Sequence, residues 1–114
     1  MSTEVGLAQK HCVPCRGGVP PLRGEELRNL SRQLPGWTVV DEHHLFRTFE
    51  FPDFQKALDF VNRAGAVAEQ EGHHPDLTLS WGRVDAKINT HKINGLTESD
   101  FILAAKLDQQ YSQP

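Results

Sequence analysis

The stretch from Leu77 to Ile88 leaves this chain few ways to fold. Leu77, Leu79 and Trp81 alternate with Thr78 and Ser80, and Val84, Ala86 and Ile88 alternate with Asp85, Lys87 and Asn89. Period-two alternation marks a strand that is apolar on one face and polar on the other. Two such strands separated by a glycine form a hairpin. Reading Gly82-Arg83 as the two-residue loop, with Gly where a type II′ turn needs a positive φ, pairs Trp81 with Val84, Leu79 with Ala86 and Leu77 with Ile88. The polar side then pairs Ser80 with Asp85, Thr78 with Lys87 and Asp76 with Asn89, and one step further His74 faces His91. Opposed side chains have Cβ atoms about 4.5–5.5 Å apart, so the turn alone predicts two neighbouring imidazoles. Pro75 cannot donate to the ladder and weakens that last step.

The rest of the chain supplies partners for the hairpin's apolar face. Leu27, Leu30 and Leu34 share one face of a helix over Glu25–Leu34, with Glu25 and Glu26 at its N-terminal end. Pro35-Gly36 ends it. Trp37–Val40 and Leu45–Phe51 read as strands around a turn at Asp41–His43. Phe54, Ala57, Leu58, Val61, Ala64, Val67 and Ala68 recur at helical spacing, with Asp53 as N-cap and Gly72 as the stop. Thr97-Glu98-Ser99-Asp100 is a capping box with Asp in place of Glu, and it opens a helix carrying Phe101, Ala104, Ala105 and Leu107 inward. Antiparallel strands with helices on one face give an α+β two-layer domain with a four-stranded sheet and three helices.

A chain of 114 residues is long enough for one such domain. Residues 1–22, broken by Pro14, Gly17, Gly18, Pro20 and Pro21, read as an irregular arm before a domain at 23–110. A net charge of -3 with scattered basic residues argues against a nucleic-acid groove or a polybasic membrane patch. No apolar run approaches the roughly 18–20 residues of a spanning helix, and no secretory leader is evident, so a cytoplasmic protein is expected. The hydrophobic fraction of 38% leaves a small core, and self-association is expected to supplement it. Cys12 and Cys15 form a Cys-x-x-Cys with no second pair to complete a zinc site and no strand before it. An ordinary structural role for the pair is expected.

Six histidines remain: His11, His43, His44, His73, His74 and His91. His43-His44 falls in a turn, where solvated side chains are the default, and no partner for His11 is evident. His73-His74 follows the long helix, and Glu69 stands four residues before His73, close enough for a carboxylate to orient that ring. Three readings stay open: histidines that cap a helix, a proton-transfer group working near neutral pH, and a metal site completed by His91. Asp100 either serves its capping box alone or also reaches His91.

Glu69-Gln70-Glu71-Gly72-His73-His74-Pro75, followed at their spacings by Trp81, His91 and Asp100, resembles the signature of the pterin-4a-carbinolamine dehydratases. The likeness runs from about Pro20 to Gln109 through Pro35-Gly36-Trp37, Phe51-Pro52-Asp53-Phe54 and Gly95-Leu96-Thr97-Glu98-Ser99-Asp100. It implies the same α+β fold and a hydro-lyase that converts 4a-hydroxytetrahydropterin to quinonoid dihydropterin, recycling cofactor for aromatic amino acid hydroxylases. It also implies His73 and His91 as acid/base catalysts and His74, Glu69, Asp100 and Trp81 as substrate-site residues. No metal or organic cofactor is implied. The resemblance further implies a homodimer or homotetramer and a functional link to a hydroxylase, while the charge pattern above predicts no nucleic-acid or membrane partner. Leu77 departs from members with an aromatic residue there, and the Cys12–Cys15 arm points to a bacterial-, archaeal- or plant-type relative.

Overall fold

The computed structural model describes residues 6–12 and 20–112. Local caps set both ends of α2 (Phe54–Glu71) and the start of α3 (Glu98–Tyr111). The Asp53 carboxylate accepts from the Lys56 amide at 2.8 Å and starts α2. Thr97 and Asp100 start α3 as the expected capping box. α1 spans Gly24–Arg32, slightly earlier than its leucine spacing predicts, and Leu34 packs into the core from beyond its end. The strands are β1 (Thr38–Val40), β2 (His44–Glu50), β3 (Asp76–Ser80) and β4 (Arg83–Ile88), in the antiparallel order β1-β2-β4-β3.

The helices cover one face of this sheet. Leu45, Phe49, Val84, Ala86 and Ile88 point from the strands into a core completed by Phe60, Phe101, Leu103 and Leu107. The expected α+β architecture is therefore the one observed. Trp37 closes one end of the core edge-on against Phe49, and its indole N–H donates to Asp108 at 2.9 Å. The opposite face carries Phe46, Thr48, Asp85 and Thr78, with Thr48 donating to Asp85 at 2.7 Å. No helix is long and apolar enough to cross a membrane among the described residues.

One expectation needs correction. The hairpin loop is Trp81-Gly82, with Ser80 opposite Arg83, Leu79 opposite Val84 and Leu77 opposite Ala86. Gly82 supplies its positive φ, 68°, at the second loop position, and its carbonyl accepts the Phe51 amide at 2.9 Å. A shift of two residues keeps every side chain on its face, so the apolar pattern is equally satisfied by both registers. The ladder begins at Asp76, and its register continued would set His74 opposite Asn89 rather than His91. Part of the N-terminal arm is described. Leu7–Gln9 forms a 3-10 turn, and Leu7 is buried in the core. Cys12 is described, whereas Pro14, Cys15, Gly17 and Gly18 lie outside the described residues.

Candidate functional site

Two helix ends meet at the site, and each contributes a capping residue. At the end of α2, Gly72 adopts the left-handed conformation (φ 66°), which a side-chain-bearing residue disfavours. The Gly72 amide donates to Glu69 and the His73 amide to Ala68, at 3.3 and 3.2 Å, forming a Schellman motif. His73 is thus the first residue directed away from the helix. At the start of α3, Asp100 is the third helical residue, and its Oδ2 accepts from the Thr97 amide at 2.8 Å.

The structure brings these two together. His73 Nε2 lies 2.6 Å from Asp100 Oδ1. Asp100 Oδ2 also accepts from the Thr90 hydroxyl at 2.7 Å, so the carboxylate takes three hydrogen bonds. Asp100 is fully buried, and the His73 side chain is 14% exposed. A carboxylate held by donors and seated at a helix N-terminus is favourable as an anion. An ionised carboxylate only accepts, so with Asp100 in that form the Nε2–H is the donor of this bond. The other ring nitrogen of His73, Nδ1, has no hydrogen-bond partner among the described residues.

Glu69 does not orient His73, as its four-residue spacing suggests. Its Oε1 lies 2.6 Å from His74 Nε2 instead, in a pair exposed at both ends. The i, i+4 rule holds only while the helix continues, and the left-handed residue at 72 redirects the following side chains. Asp100 does not bond to His91. It reaches Thr90, one residue earlier, where Thr90 and Gly95 close a short loop by mutual backbone hydrogen bonds of 2.8 and 3.4 Å. His91 stands on the 3-10 turn inside this loop, exposed to solvent.

Trp81 is not gathered with these residues. It is 72% exposed at the hairpin tip, and the whole of β3 separates it from His74. Seven residues of extended chain span on the order of 20 Å. His43 and His44 are not simply solvated either. Their Nδ1 atoms lie 3.1 Å apart, and His43 Nε2 meets Asn94 Oδ1 at 2.8 Å, on the loop that carries His91. Burial, then Lys87 and His43, push the His44 ring below the usual histidine value. His11, which lacked an evident partner, meets Glu71 at 3.2 Å. Among the described residues, no three His, Cys, Asp or Glu side chains are grouped as a metal site.

Sequence reasoning missed Thr90 and Glu71. Thr90 carried no signal before the loop closure was known. Glu71 lay inside the quoted Glu69–Pro75 run, yet its side chain is only 5% exposed and serves the N-terminal arm.

Known proteins are similar to this chain in sequence and fold. The family model described as pterin 4 alpha carbinolamine dehydratase matches residues 20–110. A Rubrobacter xylanophilus protein, named as a candidate pterin-4-alpha-carbinolamine dehydratase, is 65% identical over 103 residues, covering 90% of this chain and 96% of its own. A Rickettsia bellii protein of the same name is 52% identical over 109 residues, covering 95% and 96%. A crystal structure described as a transcriptional coactivator/pterin dehydratase from Brucella melitensis superposes with a TM-score of 0.76 at 35% identity, over 81% of this chain and 99% of that one. With the family model spanning nearly the whole domain and relatives this similar along most of their length, the chain belongs to the pterin-4a-carbinolamine dehydratase family.

Proposed function

We propose that this protein dehydrates a 4a-hydroxytetrahydropterin, with His73 and His91 exchanging protons with the substrate and His74 and Glu69 holding it. One observation carries the reading: a buried carboxylate with three hydrogen bonds fixes His73 by one ring nitrogen, and the other has no partner among the described residues. Such a pair is pre-aimed, and pre-aimed groups lose little freedom at the moment of reaction.

The elimination moves only protons and one bond. The C4a–O bond breaks, the oxygen takes a proton from an imidazolium, and water leaves. N5 gives up its proton to a base, and the released pair forms the C4a–N5 double bond of the quinonoid product. His73 suits the acid role, because Asp100 compensates the positive ring when Nδ1 is protonated. His91, exposed on its loop, suits the second proton transfer. No redox or Lewis-acid step is required, so the reading assigns no cofactor. Recycling of a tetrahydropterin for an aromatic amino acid hydroxylase, a cytoplasmic location and a dimeric or tetrameric assembly accompany the proposal. A light-scattering mass above 12.8 kDa at micromolar concentration is expected.

Stopped-flow measurement of carbinolamine dehydration tests the mechanism. His73→Ala and His91→Ala should each slow kcat, and the double variant should lose the about 10²–10⁴-fold that positioned acid/base groups supply. His74→Ala should raise KM more than it lowers kcat. A folded double variant working at the wild-type rate sinks the histidine mechanism.

A further inference from the structure

The N-terminal arm contains a Cys-x-x-Cys that the dehydration chemistry does not use, and its described member, Cys12, docks beside the segments that carry His73 and Asp100. The Cys12 amide donates to Glu71 Oε1 at 2.8 Å, and the Cys12 thiol donates to the Ser99 carbonyl at 3.4 Å. Glu71 is two residues before His73, and Ser99 is one residue before Asp100. One arm residue therefore bridges the end of α2 to the start of α3, immediately behind both members of the dyad. We infer that Cys12 is a positioning residue, a clamp that holds the His73–Asp100 pair in register by tying Glu71 to Ser99. The inference rests on the acid/base role proposed for His73.

Independent observations support a built contact rather than a chance approach. Glu71 is nearly buried, and its Oε2 also meets His11 at 3.2 Å and Lys106 at 3.8 Å. Lys106 in turn donates to the Ala8 carbonyl at 2.8 Å, and Leu7 is buried in the core. Burial, then the Glu71 carboxylate, push the Cys12 thiol up to about 12, so at neutral pH it keeps the proton that the clamp donates. A thiol kept protonated is a poor nucleophile, which fits a positioning role rather than a covalent one.

Cys12→Ala removes the S–H donor, and Cys12→Ser restores an O–H donor in its place. A displacement of about 1 Å can cost about 10²-fold in rate, and a partial loosening should cost less. Under reducing conditions, Cys12→Ala is expected to lower kcat about three- to tenfold with KM unchanged, and Cys12→Ser to recover most of it. Lys10→Ala removes only the exposed contact to Glu98 and should leave kcat within about twofold. A readout independent of turnover is the NMR signal of the proton between His73 Nε2 and Asp100 Oδ1. That proton should exchange faster with solvent in Cys12→Ala and return to wild-type protection in Cys12→Ser. Unchanged proton exchange in Cys12→Ala overturns the clamp, as does a Lys10→Ala rate as low as that of Cys12→Ala. If His73→Ala leaves dehydration intact, the acid/base reading fails, and the proton signal still decides the clamp. Should Cys12→Ala not fold, Glu71→Ala and Glu71→Gln carry the test. The carboxamide still accepts from the Cys12 amide, so Gln should retain the protected proton that Ala loses, and equal loss in both overturns the clamp.

Discussion

Two histidine–carboxylate pairs sit side by side after α2, with the same 2.6 Å separation and opposite surroundings. His73–Asp100 is 14% and 0% exposed, whereas His74–Glu69 is 59% and 80% exposed. Distance alone would rate them equal. In the buried pair, water cannot replace a lost partner, so breaking it leaves a charge or donor stranded at a cost of several kcal/mol. In the exposed pair, water competes at every moment, and such pairs contribute about 0–1 kcal/mol. The first suits a group aimed in advance, and the second a side chain that can turn toward an arriving ligand. A third pair, His11–Glu71, falls between them, with an exposed ring on a nearly buried carboxylate.

The largest expected effect comes from Asp100. Asp100→Ala removes the acceptor of three hydrogen bonds at a fully buried position. Urea unfolding should show a loss of about 3–5 kcal/mol, with dehydration falling together with that of His73→Ala. Asp100→Asn sharpens the comparison by keeping the volume while halving the acceptor set. A loss below about 1 kcal/mol for Asp100→Ala would erase the distinction between the pairs.

Glu71 should act through pH. Burial works to raise its carboxyl, but the Cys12 amide, His11 and Lys106 outweigh burial and hold it below 4.5. A lowered folded value contributes stability that is present above pH 4.5 and lost as pH falls through the folded value. Glu71→Gln should therefore flatten the acid limb of a plot of urea midpoint against pH, leaving its neutral-to-alkaline part parallel to wild type. An unchanged acid limb would mean that the arm contributes no charge-dependent stability.

The smallest expected effect is that of Glu69→Ala. Stability should change by no more than about 1 kcal/mol and lose its dependence on salt, while KM for the pterin rises as His74 loses its partner. A stability loss equal to that of Asp100→Ala would break the comparison from the other side.

Caps and alternation made much of this molecule legible in one dimension. Asp53, Gly72 and the Thr97–Asp100 box act within a few residues of themselves, so their types and spacing suffice to locate α2 and α3. The strand faces were legible for the same reason, since side chains alternate across a strand wherever its partner lies. The hairpin register was not legible, because Gly82 serves a turn at either loop position and a two-residue shift preserves both faces. Helical spacing offers Glu69 as a partner to His73, and the left-handed turn at Gly72 gives it to His74 instead.

The sequence by itself determined the α+β class, the two capped helix ends and the residues that resemble the dehydratase signature, because each rests on short-range geometry. Only the tertiary structure decided which carboxylate holds which histidine. Asp100 meets His73 across 27 positions, and Glu71 meets Cys12 across 59. Contacts of that range depend on how α2 and α3 pack over the sheet, and no local pattern of residues encodes a packing distance.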